Sequence, residues 1–330
     1  MVSAAGDLAV APASSASLRD RIRAWYLRSE PLRGYLLLSP TLLVMFALLV
    51  LPVGNLLRIS FCTQVYFTID CTPTLNNYWA IFKPSGEVGY FLGFIPIPRL
   101  ETPIYVVLLA RSIWMSLQAT AVIMLLAYPM AYFLAFRLTK NKMLWIILIT
   151  IPFWTSYLLR IFAWKIILGY TGVINSGLIG MGAIEEPLTF ILYNPTAVII
   201  ALTHAWLAFA VLPIYVSLEK IDRSLLEAAT DLGDNRVERF LRITLPLSMP
   251  GVIASSLLVF IPTVGDYITP SLVGGTSGIM IGNVIQSLFG KANNQPLGAA
   301  VSLVMMLVVT LLVCAFLKAV GYGKMKERGA

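Results

Sequence analysis

The sequence predicts an all-α protein that crosses a membrane six times. Hydrophobic residues make up 58% of its 330 residues and charged residues only 12%, whereas a soluble domain carries about 25% charged residues. Six long segments are almost free of charge, and a helix needs about 20 apolar residues to cross the hydrocarbon core of a bilayer. We therefore expect one transmembrane domain over residues 34–320, with tails over 1–33 and 321–330.

The tail before the first span has two parts. Residues 1–16 are rich in Ala and Ser and lack the basic start and apolar centre of a cleaved signal peptide, so we expect disorder there. In Leu18–Leu27, arginines are interspersed with apolar residues. This pattern is typical of a helix on the membrane surface, but also of a solvated basic tail. The first span is predicted over Gly34–Leu57, which contains no charge.

A long outer segment, residues 58–112, separates the first two spans. It contains Cys62 and Cys71, nine residues apart. Outside the membrane conditions are oxidising, so the two cysteines could close a hairpin by a disulfide; the alternative is two buried free thiols.

The other spans are predicted from five further apolar runs. They cover Ile113–Phe136, Met143–Leu159, Phe190–Leu218, Ser248–Leu272 and Pro296–Leu317. Arg160 and Lys165 follow the third run, and their long side chains are expected to reach the far interface. The fifth run is interrupted by Pro262, Gly265, Asp266 and Pro270.

Two Gly-containing segments connect spans on the outer side, residues 169–189 and residues 273–295. The first contains Glu185 and Glu186. This acidic pair would suit a funnel for a cationic solute or a docking patch for a binding protein, and an ordinary solvated loop explains it equally well.

The longest polar stretch between two apolar runs, residues 219–246, is predicted to form a helix–Gly–helix elbow. Asp222 precedes an apolar-periodic start and has the position of an N-cap. Gly233 stands where the first short helix needs a left-handed exit. Asn235–Ile243 can form a second short helix, and Pro246 is expected to prevent that helix from continuing unbroken into the next span.

Basic residues indicate the orientation of the chain. If both termini face the cytoplasm, seventeen of the 24 Lys and Arg residues lie in cytoplasmic segments and seven in outer ones. Cytoplasmic loops of membrane proteins carry such an excess. The bias therefore places the elbow and both termini in the cytoplasm, and the net charge of +8 requires no nucleic-acid partner.

Several classes of function are disfavoured. The chain has no G-x-x-x-x-G-K-[ST] phosphate loop and no Cys/His metal spacing, so we expect no ATP site, no metal site and no catalytic triad. His204, the only histidine, is better explained as a hydrogen-bonded helix contact than as a ligand or proton relay. A secondary transporter would show paired broken helices in internal repeats, and a membrane enzyme would need clustered polar residues. Only the fifth span is broken.

Seven positions of the elbow carry a family resemblance. They are Glu227, Ala228, Ala229, Gly233, Ile243, Leu245 and Pro246, and their spacing is similar to the EAA loop of ABC importer permeases. In that family the loop is a coupling helix that docks into a groove of a cytoplasmic ATPase, and small alanines let the groove close around it. The resemblance implies a dimeric ATPase that binds ATP and Mg, a second permease, a periplasmic binding protein, and no cofactor in this chain.

Further motifs resemble the first permease subunit of spermidine/putrescine importers. They include Pro152–Ser156 with Arg160 and Trp164, Tyr128 with Pro129, Pro262 with Gly265 to Tyr267, Gly274 with Gly275, and Pro296–Ala299. The resemblance covers about residues 34–320. It implies the MetI-like fold of type I importers, the bacterial inner membrane and a polyamine solute, with another organic cation or an iron complex as the runner-up. Cys62, Cys71 and an insertion at Pro96–Thr102 depart from the family pattern.

The chemistry of a polyamine pathway can be compared with the sequence. Ammonium groups are bound by carboxylates and by aromatic faces. Asp266 is the only acid well inside an apolar run, and such an acid usually faces a cavity or a partner. It is a candidate for the pathway; the alternative is a structural pair with Arg160 or with a neighbouring subunit. The candidate aromatic walls are Trp154, Tyr157, Trp164, Trp206 and Tyr267, although membrane interfaces also collect such side chains.

Overall fold

The computed structural model describes residues 30–83, 90–91, 95–96, 103–191 and 193–328. The expected disorder of residues 1–16, the helix over Leu18–Leu27 and most of the insertion Pro96–Thr102 lie outside these residues. The chain divides after Leu56 into two units, Met1–Leu56 and Leu57–Ala330, which are described separately.

The first unit contains most of one long helix, α1 (Glu30–Ser60), which ends in the second unit. Its part over Gly34–Ser60 is long and apolar enough to cross a membrane. Apolar side chains surround the helix and most are exposed within the chain, as expected of a helix that contacts lipid or other membrane helices. Pro40 and Pro52 lie inside it, which membrane helices tolerate.

The second unit begins with a small hairpin outside the helices. Strands β1 (Thr63–Val65) and β2 (Thr68–Asp70) pair antiparallel. Cys62 and Cys71 are joined by a disulfide at the base of this hairpin. The short helix α2 (Asn76–Phe82) follows, and its Asn77 Nδ2 donates hydrogen bonds to the carbonyl oxygens of Ser60 and Cys62 at 2.9 and 2.7 Å.

A second hairpin pairs β3 (Tyr90–Phe91) with β4 (Ile95–Pro96). These two hairpins are the exceptions to a helical fold among the described residues.

Three helices form the centre of the bundle: α3 (Ile104–Tyr132), α7 (Pro195–Glu219) and α10 (Leu245–Val264). Small and branched side chains fill their contacts, including the fully buried Ala127, Ala210 and Val259. At Gly251 of α10 a β-carbon would lie 2.5 Å from Ser217 Cβ and 2.6 Å from the carbonyl oxygen of Pro213. The backbones of α7 and α10 therefore approach closely, as small residues allow in membrane helices.

The third predicted span, which begins with Met143–Leu159 and is closed by Arg160 and Lys165, contains a bend that was not predicted from the sequence. Helix α4 (Lys142–Thr150) passes through a 3₁₀ turn (Ile151–Trp154) and is followed by α5 (Tyr157–Ile167), with a bend of 86° between the two halves. Pro152 in the turn cannot donate a backbone hydrogen bond, and the extended backbone of Thr155 ends the first half. The described residues thus contain five helices that could span a membrane, or six spans if the bent pair counts as one.

The predicted break at Pro246 is wrong. Helices α8 (Arg223–Asp231) and α9 (Arg236–Arg239) form the elbow, and a π-helical turn (Phe240–Thr244) then connects α9 directly to α10. The candidate span is continuous over Arg236–Val264. Pro246 is the second residue of α10 and directly follows the π-helical turn, and such a local π adjustment lets a continuous membrane helix accommodate a proline. The fifth span ends at Val264 rather than at Leu272.

The two Gly-containing outer segments are more ordered than predicted. Helix α6 (Val173–Gly180) and a 3₁₀ turn (Thr189–Ile191) lie in the first, and helix α11 (Ile281–Phe289) lies in the second. A π-helical turn (Pro270–Gly274) follows the break after α10. The last helix, α12 (Gln295–Arg328), contains the predicted sixth span.

The remaining two spans differ only at their ends. The second span covers Ile104–Arg137 and the fourth covers Pro195–Glu219. The second therefore begins earlier than the predicted Ile113, because Arg111 is accommodated inside the helix rather than ahead of it.

Candidate functional sites

The elbow begins with a capped helix. The side chain of Asp222 accepts a hydrogen bond from the backbone N–H of Ser224 at 3.0 Å, which confirms the predicted N-cap. This interaction with Ser224 lowers the pKa of the Asp222 carboxyl below its ordinary value, because the hydrogen bond favours the charged form. The first helix thus has a fixed starting point.

The reversal at Gly233 is confirmed. Its φ is +94°, a region that Gly enters freely and other residues enter at a cost. The N–H groups of Gly233 and Asp234 donate to the carbonyl oxygens of Thr230 and Ala229, each at 3.0 Å. No described atom lies within 4 Å of the position that a β-carbon on Gly233 would take. The crown of the elbow is therefore open.

Polar contacts hold the second half of the elbow against the first. Asn235 and Glu238 form a reciprocal capping box at the start of α9. Arg242 forms an ion pair with Asp234 at 2.8 Å, and Arg239 Nη1 donates to Thr230 Oγ1 at 2.7 Å. These contacts fix the angle between α8 and α9.

The candidate coupling residues do not share one surface. Glu227 and Ala228 are exposed, whereas Ala229 is 5% exposed and packs within the chain. Pro246 is exposed, and Ile243 and Leu245 are half-buried. Leu232, which directly follows α8, is 88% exposed beside Gly233, and this exposure was not predicted from the sequence. Its position at the C-terminal end of α8 is the sequence feature that could have indicated this exposure.

The elbow is attached to the bundle by aromatic side chains. The ring of Phe240 lies edge-on to that of Tyr128, with 5.7 Å between centroids, and 6.3 Å from that of Tyr132. The Tyr128 hydroxyl is also 2.8 Å from Ser248 Oγ at the start of α10. Movement of the elbow would therefore act directly on α3 and α10.

The second site is a cavity of about 450 Å³ beside the break after α10. Eleven residues line this aromatic cavity, namely Phe153, Thr155, Tyr157, Arg160, Ala205, Trp206, Phe209, Pro262, Gly265, Asp266 and Tyr267. Four predicted pathway residues thus meet at one place: Tyr157, Trp206, Asp266 and Tyr267. Trp154, which is 79% exposed, and Trp164 do not line it.

Asp266 is the centre of a hydrogen-bond network. Its Oδ2 accepts from the hydroxyls of Tyr157 and Thr269, both at 2.5 Å. Its Oδ1 accepts from the backbone N–H of Ile268 at 2.9 Å and, more weakly, from that of Thr269 at 3.4 Å. The carboxylate therefore stabilises the first turn after the break and fixes Tyr157 across the cavity.

Arg160 lies in the same cavity but is not paired with Asp266. Its guanidinium donates to the carbonyl oxygens of Ala205 and Thr155 at 3.0 and 3.2 Å. It also lies 4.7 Å from the ring centroid of Phe153. Among the described residues the ion pairs are Lys142–Glu219 and Arg242–Asp234, so a structural pair of Asp266 with Arg160 is excluded within this chain.

Two features of this cavity were not predicted from the sequence. Phe153 and Phe209 pack edge-on, with 4.7 Å between centroids, and Thr269 completes the Asp266 network. The position of Thr269 three residues after Asp266, typical of a local turn, could have indicated its role.

The other candidates lie away from both sites. His204 is exposed and packs edge-on to Trp164, with 5.4 Å between ring centroids, so it contacts a ring on another helix. Glu185 and Glu186 are exposed in the loop after α6. Within the described part of the chain no three His, Cys, Asp or Glu residues are placed to hold a metal ion.

Comparison with known proteins places these features in a family. Residues 35–321 match the family of the binding-protein-dependent transport system inner membrane component. The spermidine/putrescine transport system permease PotB of Escherichia coli is 42% identical over 221 residues, which are 67% of this chain and 80% of PotB. The inner membrane ABC transporter permease YdcU of the same organism is 33% identical over 286 residues, 81% of this chain and 84% of YdcU.

A solved structure agrees on the fold. The crystal structure of a bacterial ABC transporter that imports alginate contains a chain with a TM-score of 0.60 and 17% identity, over 90% of this chain and 95% of that one. The relatives are transport permeases rather than enzymes, and the helical architecture is that of ABC importer permeases. The chain belongs to the family of binding-protein-dependent transport system inner membrane components, as a multi-span permease subunit of an ABC transporter.

Proposed function

We propose that the chain is one of two different permease subunits of an ATP-driven polyamine importer and lines the translocation pathway together with the second. The observation that carries this proposal is the identity to PotB, which extends over most of that protein. The transmembrane domain over residues 34–320 would lie in the bacterial inner membrane, with both termini in the cytoplasm, as the excess of basic residues favours.

The aromatic cavity suits a cationic solute. Tyr157, Trp206 and Tyr267 provide ring faces, and such faces attract ammonium groups. The negative charge of Asp266 is offset by the positive charge of Arg160 in the same space. Net attraction from this subunit is therefore weak, which suits a pathway that a solute must leave as readily as it enters. The second permease would complete the wall.

The elbow, residues 219–246, would couple this pathway to a dimeric cytoplasmic ATPase that binds ATP and Mg. Its caps and its ion pair make it rigid, and its crown presents Ala228 and Leu232 without any contact that covers them among the described residues. An apolar side chain as exposed as Leu232 is readily covered by a partner. Ile243, Leu245 and Pro246 connect the elbow to α10 and would transmit its movement.

A periplasmic binding protein would deliver the solute on the opposite side of the membrane. The acidic pair Glu185 and Glu186 and the disulfide-closed hairpin at Cys62 and Cys71 would lie on that side. Both are exposed to a soluble partner, and both lie in segments that the charge bias places outside.

Uptake measurements test this function. The complete transporter would be expressed in cells that lack their own polyamine importers, and uptake of labelled spermidine would be measured against unlabelled putrescine, choline and ferric citrate. We expect competition by putrescine and none by choline or ferric citrate. An assembled, ATP-hydrolysing transporter that takes up no polyamine would contradict the substrate while leaving the family membership unaffected.

A further inference from the structure

Another cavity, between the end of α3 and the elbow, has a strongly basic lining. It has a volume of about 370 Å³ and is lined by Tyr132, Phe136, Arg137, Arg223, Leu226, Glu227, Arg236 and Arg239. We call it the arginine cavity. Four guanidinium groups and one carboxylate give it a formal charge of +3 at neutral pH.

No arginine of this cavity forms an ion pair within the described part of the chain. The two ion pairs there involve Lys142 with Glu219 and Arg242 with Asp234, and neither includes a cavity arginine. Arg239 donates to the hydroxyl of Thr230, which is uncharged. Like charges held in one cavity repel, so an anion that enters it gains the attraction of several guanidinium groups at once.

The arginines come from separate elements that meet at the ends of two candidate membrane spans. Arg137 is the last residue of the span Ile104–Arg137, and Arg236 is the first residue of the span Arg236–Val264. Arg223 begins the first helix of the elbow. An anion bound here would therefore link the end of α3 to both halves of the elbow at the level of the lipid headgroups.

The chemistry of the lining selects the kind of anion. Guanidinium groups bind phosphate oxygens through two parallel hydrogen bonds, which gives phosphate an advantage over a spherical ion. The rings of Tyr132 and Phe136, with 4.9 Å between centroids, and the side chain of Leu226 add an apolar side. Basic pockets between membrane helices bind the headgroups of anionic lipids.

We propose that the arginine cavity binds a phosphate group, and that the apolar side favours one carried by an anionic phospholipid over free phosphate. Binding would hold the elbow in one orientation against the bundle, so the lipid would act on coupling without contact to the transported solute. The site is separate from the aromatic cavity and does not depend on the identity of that solute.

The test uses the purified, fully assembled transporter. Retained lipids would be counted by native mass spectrometry. The midpoint of thermal unfolding, called the thermal midpoint below, would be measured with added phosphatidylglycerol, phosphatidylcholine or sodium phosphate. The cavity variant is Arg137→Gln with Arg236→Gln. The matched control, Lys140→Gln with Lys318→Gln, removes the same charge from two exposed residues that lie outside the elbow and do not line the cavity.

We expect phosphatidylglycerol to raise the midpoint more than phosphatidylcholine, and the cavity variant to bind it about tenfold or more weakly, as expected for lost charge-assisted hydrogen bonds. The control should match the parent. Equal protection by sodium phosphate would support phosphate recognition and assign it to a soluble source.

Three results would overturn the proposal. The first is an unmodified transporter with no preference for phosphatidylglycerol or phosphate, which decides the question even if the cavity variant fails to fold. The second is an equal loss of lipid in the control. The third is weaker co-purification of the ATPase by the cavity variant with unchanged lipid binding, which would assign the arginines to acidic residues of the ATPase.

Discussion

The elbow and the aromatic cavity each contain an aspartate at the start of a helical turn, but the two aspartates are used differently. Asp222 is exposed and accepts one backbone N–H at 3.0 Å. Asp266 is half-buried and accepts hydrogen bonds from two hydroxyls and two N–H groups. One of the hydroxyls belongs to Tyr157, which lies 109 residues earlier in the chain. The first aspartate shapes only its own helix, whereas the second joins two separate elements.

Glycines at the two sites show the same contrast. Gly233 has φ +94° and open space around it, so Gly is needed there for the backbone conformation. Gly282 lies in α11 against the break, where a β-carbon would be 2.7 Å from the carbonyl oxygen of Gly265 and 2.9 Å from that of Asp266. Gly is needed there for space. The elbow is thus a self-contained unit with a free outer surface, and the cavity exists only because several helices meet.

The largest effect is expected from Gly233→Leu. The left-handed backbone costs a side chain about 1–2 kcal/mol, and the leucine would project from the open crown into the groove of an ATPase. We therefore expect the subunit to remain inserted and paired with its sister permease, while ATPase co-purification and solute uptake are lost. Glu227→Ala, which removes an exposed carboxylate without backbone strain, should weaken both to a lesser degree.

Gly182→Leu is the matched control for this variant. Gly182 also has a positive φ, +69°, and open space around it, but it lies in the loop after α6. A leucine at this position imposes the same kind of backbone strain away from the elbow, so ATPase co-purification should be unchanged. If Gly233→Leu keeps both the ATPase and normal uptake, the elbow is not the coupling element. If both glycine variants lose the ATPase, strain rather than docking is responsible.

A smaller effect is expected from Asp266→Asn. The substitution keeps the size of the side chain and removes its charge, so it tests attraction for an ammonium group. We expect polyamine uptake to fall about tenfold, equivalent to about 1.4 kcal/mol, with ATPase co-purification unchanged. Tyr157→Phe removes one hydrogen bond to the carboxylate and keeps the charge, so it should retain most of the uptake.

The thermal midpoints of these two variants sharpen the comparison. A pathway role predicts that Asp266→Asn lowers uptake more than it lowers the midpoint. A structural role predicts that both variants lower the midpoint and the uptake together, because each removes part of the same network. The latter result would make Asp266 a support for the break in the helix rather than a contact for the solute.

The same contrast explains what the sequence could predict. The N-cap at Asp222 and the reversal at Gly233 depend on residues within a few positions, and both were predicted. The hydrogen bond from Tyr157 to Asp266 and the packing of Phe153 against Phe209 join segments far apart in sequence. Residue types identified Asp266, Tyr157, Trp206 and Tyr267 as candidates, but only the packing of α5, α7 and the break separates them from Trp154 and Trp164.

The errors in the spans have a local cause that the sequence did not resolve. Pro152 lies inside an apolar run, and Pro246 lies at the end of the polar elbow, just before the next apolar run. The first accompanies a bend of 86°, whereas the second is accommodated in a first turn after a π-helical turn. Whether a proline bends the chain or is accommodated in a continuous helix depends on its position relative to the preceding helix. That position is set by packing.

The smallest effect is expected from Asp222→Asn, the same substitution as at Asp266. Asn and Asp are nearly equal N-caps, so uptake and ATPase co-purification at neutral pH should stay close to those of the parent, whereas Asp222→Ala should reduce both.

The pH dependence of stability follows from the lowered pKa of Asp222. A carboxyl whose pKa is lower in the folded state contributes stability above its unfolded value of about 3.9 and loses it as the pH falls through the folded value. The parent and the Asn variant should therefore have similar thermal midpoints from neutral pH down to about pH 4 and diverge only below it, where the parent loses its charged cap. If Asp222→Asn lowers uptake at neutral pH as much as Asp266→Asn does, the Asp222 carboxylate contacts a partner through its charge, and the elbow is not the self-contained unit that its internal hydrogen bonds indicate.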